Sequence, residues 1–414
     1  MTVKNFINFH ILISHSPSCL NRDDMNMQKT AVFGGMNRVR ISSQSLKRAM
    51  RKSGYYERHL GQASTRTRDL EAITKIFVES LRNEIDPVLV AETMELFVRS
   101  KAADEESEKD DQEDTTGGES KKLAVAPWAL EEIRALCAIV KDVSLTDGEI
   151  SNAKERAAKQ KGKKKKSEQD FVGDALTKKR AKAVQDKIDV VRKAIASALD
   201  IALSGRMATS GLMTSVDGSL AVAHAITTHA VEPQDVDWFT AVDDLQEQGS
   251  GHLDTQQFSS GVFYRYASLN LKQLQVNLGV LQDMKSVETR ESRTRALEIA
   301  KHAFHMLATV VPSAKQQSFA AHNLADFAIV SFADQPISLA NAFEQPVKCD
   351  YKNGGFLKPS VEALANYWAR MNRAYSLSEL ACAFAVDGGV KLSDKPAVES
   401  LADMEAWIAN GGQA

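Results

Sequence analysis

The chain has 414 residues, 43% apolar and 26% charged, with 52 lysines and arginines against 54 acids and a net charge of −2. That is ordinary for a soluble globular protein and long enough for two or three domains around real cores. Cys19, Cys137, Cys349 and Cys382 stand far apart without a Cys-x-x-Cys pair, which argues against a zinc or disulfide framework and fits a reduced cytoplasmic setting. No apolar run is long enough to span a bilayer, and the N-terminus lacks the pattern of a secretion signal.

Residues 6–14 alternate, with Ile7, Phe9, Ile11 and Ile13 on one side and Asn8, His10 and Ser14 on the other; this predicts a half-buried strand. Residues 15–35 carry Pro17, Asn21, Arg22, Asp23, Asp24 and a Gly34-Gly35 pair, the composition of a long polar loop. Residues 38–53 hold six cations and no acid: Arg38, Arg40, Lys47, Arg48, Arg51 and Lys52. They read as a strand end running into a basic helix, capped by Ser42 or Ser43, with Leu46 and Met50 on its buried stripe. Such a surface suits the phosphates of a polyanion; the blander reading is a solvated helix face.

From about residue 65 to 140 the period becomes helical. Leu70, Ile73, Phe77 and Leu81 form one stripe, Met94 and Phe97 belong to another, and Pro127 suits the first turn of a helix reaching Val140. Residues 104–114 contain eight acids and one lysine, a run too polar to pack and expected to be a disordered loop. A basic run follows at Lys154, Arg156, Lys159, Lys161, Lys163, Lys164, Lys165 and Lys166. It either grips phosphate without reading sequence or merely solubilises a helix. It is not a P-loop, because Ala157 and Lys164 stand where Gly and Ser or Thr are required.

Val184, Ile188, Val191, Ile195 and Leu199 predict one long helix, and Val222, Ala225 and Ile226 a strand. Trp238 and Phe239 stand together in a polar, loop-like setting beside Asp237, Thr240, Asp243 and Asp244; aromatics exposed in this way can stack on bases. The remainder predicts strands at 262–271 and 327–332 and helices at 290–311, 361–375 and 397–408. The order suggests an α+β sheet domain of ferredoxin-like type with a helical insertion.

Reactive groups are sparse. His302 and His305 share a helix face without a His-Glu-x-x-His pattern, and His224 and His229 would point to opposite faces of a strand. No Gly-x-Ser-x-Gly turn is present. The Asp23-Asp24 pair could hold a divalent metal for phosphodiester cleavage, although such a pair in a loop is commonly a turn. No resident metal or cofactor is expected.

Five strings carry a resemblance: residues 11–29, residues 38–53, Gly205-Arg-Met-Ala-Thr-Ser-Gly211, Asp237-Trp-Phe-Thr-Ala-Val-Asp-Asp244, and Phe258-Ser-Ser-Gly-Val-Phe-Tyr-Arg-Tyr266. Together they closely resemble the CasC family, the backbone subunits of the Cascade surveillance complex of type I-E CRISPR systems. The resemblance implies an α+β fold with a modified RRM or ferredoxin-like palm, an inserted helical fingers domain and a β-hairpin thumb. Its boundaries here would be palm 1–60, fingers 61–200, palm 201–231, thumb 232–261 and palm 262–414.

It further implies a non-catalytic protein that binds crRNA and assembles head to tail in several copies. It would work with the large, small, crRNA-processing and 5′-end-capping subunits to present the guide to a target DNA strand. By the same resemblance Arg22, Ser42, Gln44, Lys47, Arg48 and Arg51 hold the RNA backbone, Met207 packs against bases, and Trp238, Phe239 and Thr240 fold over the guide. Lys163, Lys164, Lys165 and Lys166 would meet incoming duplex DNA. The alternative is a metal-dependent endoribonuclease using Asp23 or Asp24.

Overall fold

The computed structural model describes residues 3–67, 69–106, 126–159, 167–207, 215–241, 250–352, 354–387, 392 and 395–413. The chain divides into two compact units: one of residues 1–61, 219–275 and 283–414, the other of residues 62–218 and 276–282.

The first unit is built on a mostly antiparallel sheet. Its strands are β1 (Phe6–Ser18), β2 (Thr30–Phe33), β3 (Met36–Ile41), β6 (Leu220–Val222), β7 (Ala225–Thr227), β8 (Gln234–Ala241), β9 (Ser250–Asn270), β10 (Phe327–Ala333), β11 (Leu380–Ala385) and β12 (Ala397–Val398). The order across the sheet is β12-β11-β10-β1-β9-β7-β3-β2, with β6 and β8 pairing separately on β9, and the β11–β12 pair is parallel. Helices α1 (Ser43–Arg51), α2 (Gly54–Leu60), α11 (Arg290–Thr309), α12 (Gln316–Phe319), α13 (Leu357–Ala374) and α14 (Leu401–Ala409) belong to it.

β1 lies between β10 and β9, with Ile7 opposite Phe332 on one side and Leu269 on the other. Layers cover both of its faces, so every residue from 7 to 13 is buried, and the expected half-buried alternation is corrected. Asn8 survives burial because its amide donates to Gln335 O at 3.2 Å and its carbonyl accepts from Tyr266 Oη at 3.1 Å. The predicted loop over 15–35 is also shorter than expected. β1 continues to Ser18, and Gly34-Gly35 is the turn of the β2–β3 hairpin, both glycines at positive φ as a two-residue turn of matching twist requires.

The second unit holds β4 (Thr65–Thr67) paired with β5 (Ala126–Trp128), and helices α3 (Leu70–Leu81), α4 (Pro87–Glu106), α5 (Leu130–Val140), α6 (Asp147–Ala158), α7 (Glu168–Asp186), α8 (Ile188–Ile195) and α9 (Leu199–Ser204). α10 (Leu271–Asn277) runs across its boundary with the first unit. Ile73, Phe77, Leu81, Met94, Ile133, Leu136, Val184, Val191 and Ile195 share one core, so the periodic residues mark the buried faces as expected. Two boundaries differ. Pro127 sits in β5, ahead of a helix that begins at Leu130, and the long helix predicted through 184–199 breaks near Lys187 and again before Leu199. Residues 107–125, and with them most of the acidic run, lie outside the described residues.

Candidate nucleic-acid interface

α1 starts where the sequence predicts. Ser42 is its N-cap, its hydroxyl accepting from Ser45 N at 3.2 Å, and Leu46 and Met50 are buried. Leu46 packs with Leu20, Val39, Ile41, Ala225 and Phe263, which seats the helix on the sheet with its polar face outward. Gln44, Arg48 and Lys52 are exposed, while Lys47 and Arg51 are half-buried. Lys47 Nζ donates to Leu220 O at 3.1 Å, a bond that fixes where its charge stands.

Arg38 does not contribute to this surface. It is fully buried, donating to the carbonyls of Thr227, Phe343 and Glu344, so it is a structural bolt and not one of six surface cations. Arg40 is also engaged, its Nε donating to Thr30 O at 2.9 Å.

The loop before the helix is tied to it. Asn21 Oδ1 accepts from Ser42 N at 2.8 Å, and Arg22, which is exposed, donates to Asn26 Oδ1 at 2.8 Å. Asp23 is absorbed by the turn itself: its carboxylate accepts from the amides of Met25 and Met27, both at 2.9 Å, and Asn26 takes φ +63°. The same loop reaches a second element, since Gln28 N donates to Gln257 Oε1 at 3.3 Å.

Gln257 lies at the root of the β8–β9 hairpin, where it bonds Asp235 Oδ1 at 2.9 Å, and Thr255 makes the next rung to Asp237 at 2.9 Å. Trp238 pairs with Asp254 and Phe239 with Leu253. They are therefore strand residues and not part of the loop their polar surroundings suggested. Thr240 falls at the register irregularity between Phe239 and Ala241. The structure thus joins the loop of Arg22, the helix of Ser42, Gln44, Lys47, Arg48 and Arg51, and the hairpin of Trp238, Phe239 and Thr240 through two hydrogen bonds.

A family model described as CT1975-like protein (Cas_CT1975) matches residues 7–408. The chain belongs to the CT1975-like family. A solved chain titled "CRISPR RNA-guided surveillance complex, pre-nicking" superposes with a TM-score of 0.70 at 26% identity, covering 98% of this chain and 100% of that one. Another, titled "CRISPR RNA-guided surveillance complex", matches with a TM-score of 0.52 at 21% identity over 98% and 99% of the two chains, a likeness of fold. No match was found among curated proteins. The resemblance to backbone subunits of such complexes is borne out by the family match and by the superposition at 26% identity.

In this CT1975-like chain Met207 belongs to the other unit, where it is 84% exposed. Its neighbour Arg206 is locked inward. Arg206 bonds both oxygens of buried Glu132, at 2.7 and 2.9 Å, and its backbone exchanges two 2.8 Å bonds with Val216. Gly205 (φ +78°) passes so close to Gly218 that a Cβ would lie 2.7 Å from the Gly218 nitrogen. An apolar side chain is thus held out in solvent by a rigid base. Lys163, Lys164, Lys165 and Lys166 lie outside the described residues.

Lys315 is a cation that the sequence reading missed. Burial raises the pKa of the Cys19 thiol, and Arg22 and Lys315 both pull it back down, which places the two cations in one neighbourhood. Lys315 stands alone in its stretch of sequence, so no charge run announces it. Among the described residues no group of three or more His, Cys, Asp and Glu could hold a metal ion. His302 and His305 pack with Tyr55, His302 Nδ1 lying 2.8 Å from the phenol and His305 stacking on its ring at 3.7 Å. His224 and His229 lie outside the strands, so the two-faced strand expected of them is not formed.

Proposed function

We propose that this protein is a non-catalytic backbone subunit of a CRISPR RNA-guided surveillance complex. It binds crRNA along the backbone and assembles head to tail with further copies of itself. In that role it works in the cytoplasm beside large, small, crRNA-processing and end-capping subunits, and it presents the guide for pairing with target DNA. One observation carries the reading: the whole-length superposition, at 26% identity, on a chain of such a complex. In this reading the sheet unit is an RRM-like palm, the helical unit the fingers and the β8–β9 hairpin the thumb. Trp238, Phe239 and Thr240 close over the guide, Met207 packs on its bases, and Lys163, Lys164, Lys165 and Lys166 approach the DNA duplex. Pairing supplies sequence specificity while the protein holds backbone and shape.

The electrostatics of α1 support the backbone role. Cations on one capped helix contact phosphates and release counterions without distinguishing bases. Lys47→Ala with Arg51→Ala is expected to weaken binding to all RNA sequences alike and to reduce the salt slope by about two, read by anisotropy titrations over a salt series. A sequence-selective loss overturns the role assigned to the helix. The same preparations test catalysis. Purified protein with Mg²⁺ is expected to leave RNA uncut whether or not Asp24→Ala is present; cuts at regular intervals that vanish with Asp24→Ala would establish the ribonuclease instead.

A further inference from the structure

Phe258 stands at the base of the β8–β9 hairpin, paired across it with Gln234, and its neighbour Gln257 is paired with Asp235. Side chains alternate along a strand, so these two residues leave β9 on opposite faces. The Gln257 face is gripped by hydrogen bonds, to Asp235 within the hairpin and to Gln28 in the loop of Arg22. The Phe258 face is gripped by an aromatic contact. Its ring stacks on Phe319 of α12, with centroids 5.8 Å apart and planes inclined at 30°.

α12 is a single turn, and both of its flanks are strained. Lys315 (φ +54°) and Ala320 (φ +49°) hold the left-handed conformation that residues with a Cβ adopt only at a cost. Such backbone persists where its surroundings over-determine it, and here they do. The Gln316 amide clasps the turn, donating to Pro312 O at 3.3 Å and to Ala321 O at 3.2 Å, and Ala321 is fully buried. Beyond it, Asn323 Oδ1 accepts from Ser16 N at 3.2 Å and Ser16 Oγ at 3.3 Å, which pins the segment to the end of β1. The ring that this held turn carries to the hairpin is Phe319.

We propose that α12 is the seat that sets the angle of the β8–β9 hairpin, and that Phe319 is a positioning residue for its closure over the guide. The inference rests on the RNA-binding reading and gives α12 a role that needs no contact with RNA. Trp238 lies four residues beyond Gln234 on β8, roughly 13 Å farther out at the rise of an extended strand. A small tilt at the stacked rings therefore becomes a larger displacement of the residues that close on the guide. A loosened base leaves the cations of α1 in place, so the loss falls on dissociation and not on salt-dependent encounter.

Two variants test the seat by different routes. Phe319→Ala removes one ring. Ala320→Val keeps both rings and places a β-branched residue at an exposed, left-handed position, so it acts through the backbone alone. Both are expected to speed amide hydrogen exchange in residues 234–241 relative to β1. Both should also raise the dissociation rate of a bound single-stranded RNA by about tenfold, the ceiling for one aromatic pair, at an unchanged salt slope, and Phe319→Tyr should restore both readouts. Wild-type exchange in residues 234–241, or a rise shared equally by β1, overturns the seat whatever the RNA does. A flattened salt slope overturns it in favour of a direct phosphate contact. Faster exchange in the hairpin with wild-type dissociation overturns the positioning role alone if Lys47→Ala with Arg51→Ala is impaired; if that double variant also binds as wild type, the RNA-binding reading has failed first and the positioning role falls with it.

Discussion

Glu132 and Arg206 are both fully buried, 74 residues apart, and joined by two charge-assisted hydrogen bonds. Removing one partner strands the other charge in a dry interior. Glu132→Gln is therefore expected to lower the unfolding free energy by about 3–5 kcal/mol, measured by urea denaturation. Replacing both, with Glu132→Leu and Arg206→Met, should recover most of that loss, and a double variant as unstable as the single one would refute the argument. Nothing in the sequence links these two residues. The Gly205-Arg-Met string drew attention through its resemblance, yet an arginine looks the same in sequence whether it meets solvent or a buried acid. Arg38 teaches the same lesson from the other side: its neighbours make it read as a surface cation, and three carbonyls hold it inside.

At the level of elements, α1 was legible because everything that specifies it is local. The Ser42 cap, the Leu46 and Met50 stripe and the cations of its polar face all fall within three turns. Its attachment depends on that stripe, so Leu46→Ala should cost about 2–5 kcal/mol and loosen the helix from the sheet. The loss should appear as faster amide hydrogen exchange in residues 43–51 than in β1; uniform exchange across both would count against a locally seated helix. β8 was not legible in this way. Its polar stretch carries no alternation of its own, and it becomes a strand because β9 supplies a partner for each residue from Gln234 to Phe239 and again for Ala241, past the irregularity at Thr240. The run through 184–199 shows the limit of periodicity, which persists across a break when successive helices bury the same face in one core.

Across the whole sheet unit, burial sets a pH dependence. His10 and His15 are both buried within β1, and burial lowers both pKa values from 6.5 to about 3, with Arg265 adding to the effect at His15. Below about pH 6.5 the unfolded chain takes up these protons and the native state does not. Stability is therefore complete above that pH and falls as the pH drops toward 3, by about 1.4 kcal/mol per pH unit for each histidine. Urea midpoints collected between about pH 6 and about pH 4 should show this slope, and His10→Gln should remove one proton's share of it. An unchanged slope in that variant would mean that His10 does not titrate on unfolding.

The sequence by itself determined what depends on neighbours a few residues away: the capped basic helix, the buried stripes of the helical unit, the strand character of residues 6–14, and the strings that point to the family. The tertiary structure alone decided which faces of β1 are covered, which arginines lie inside, that the loop of Arg22 is bonded to both α1 and the hairpin, and that Lys315 joins the basic ground. Those outcomes depend on contacts between residues 21 to 306 positions apart. Burial and pairing of a side chain are properties of the surroundings that the folded chain brings to it, and its own stretch of sequence does not carry them.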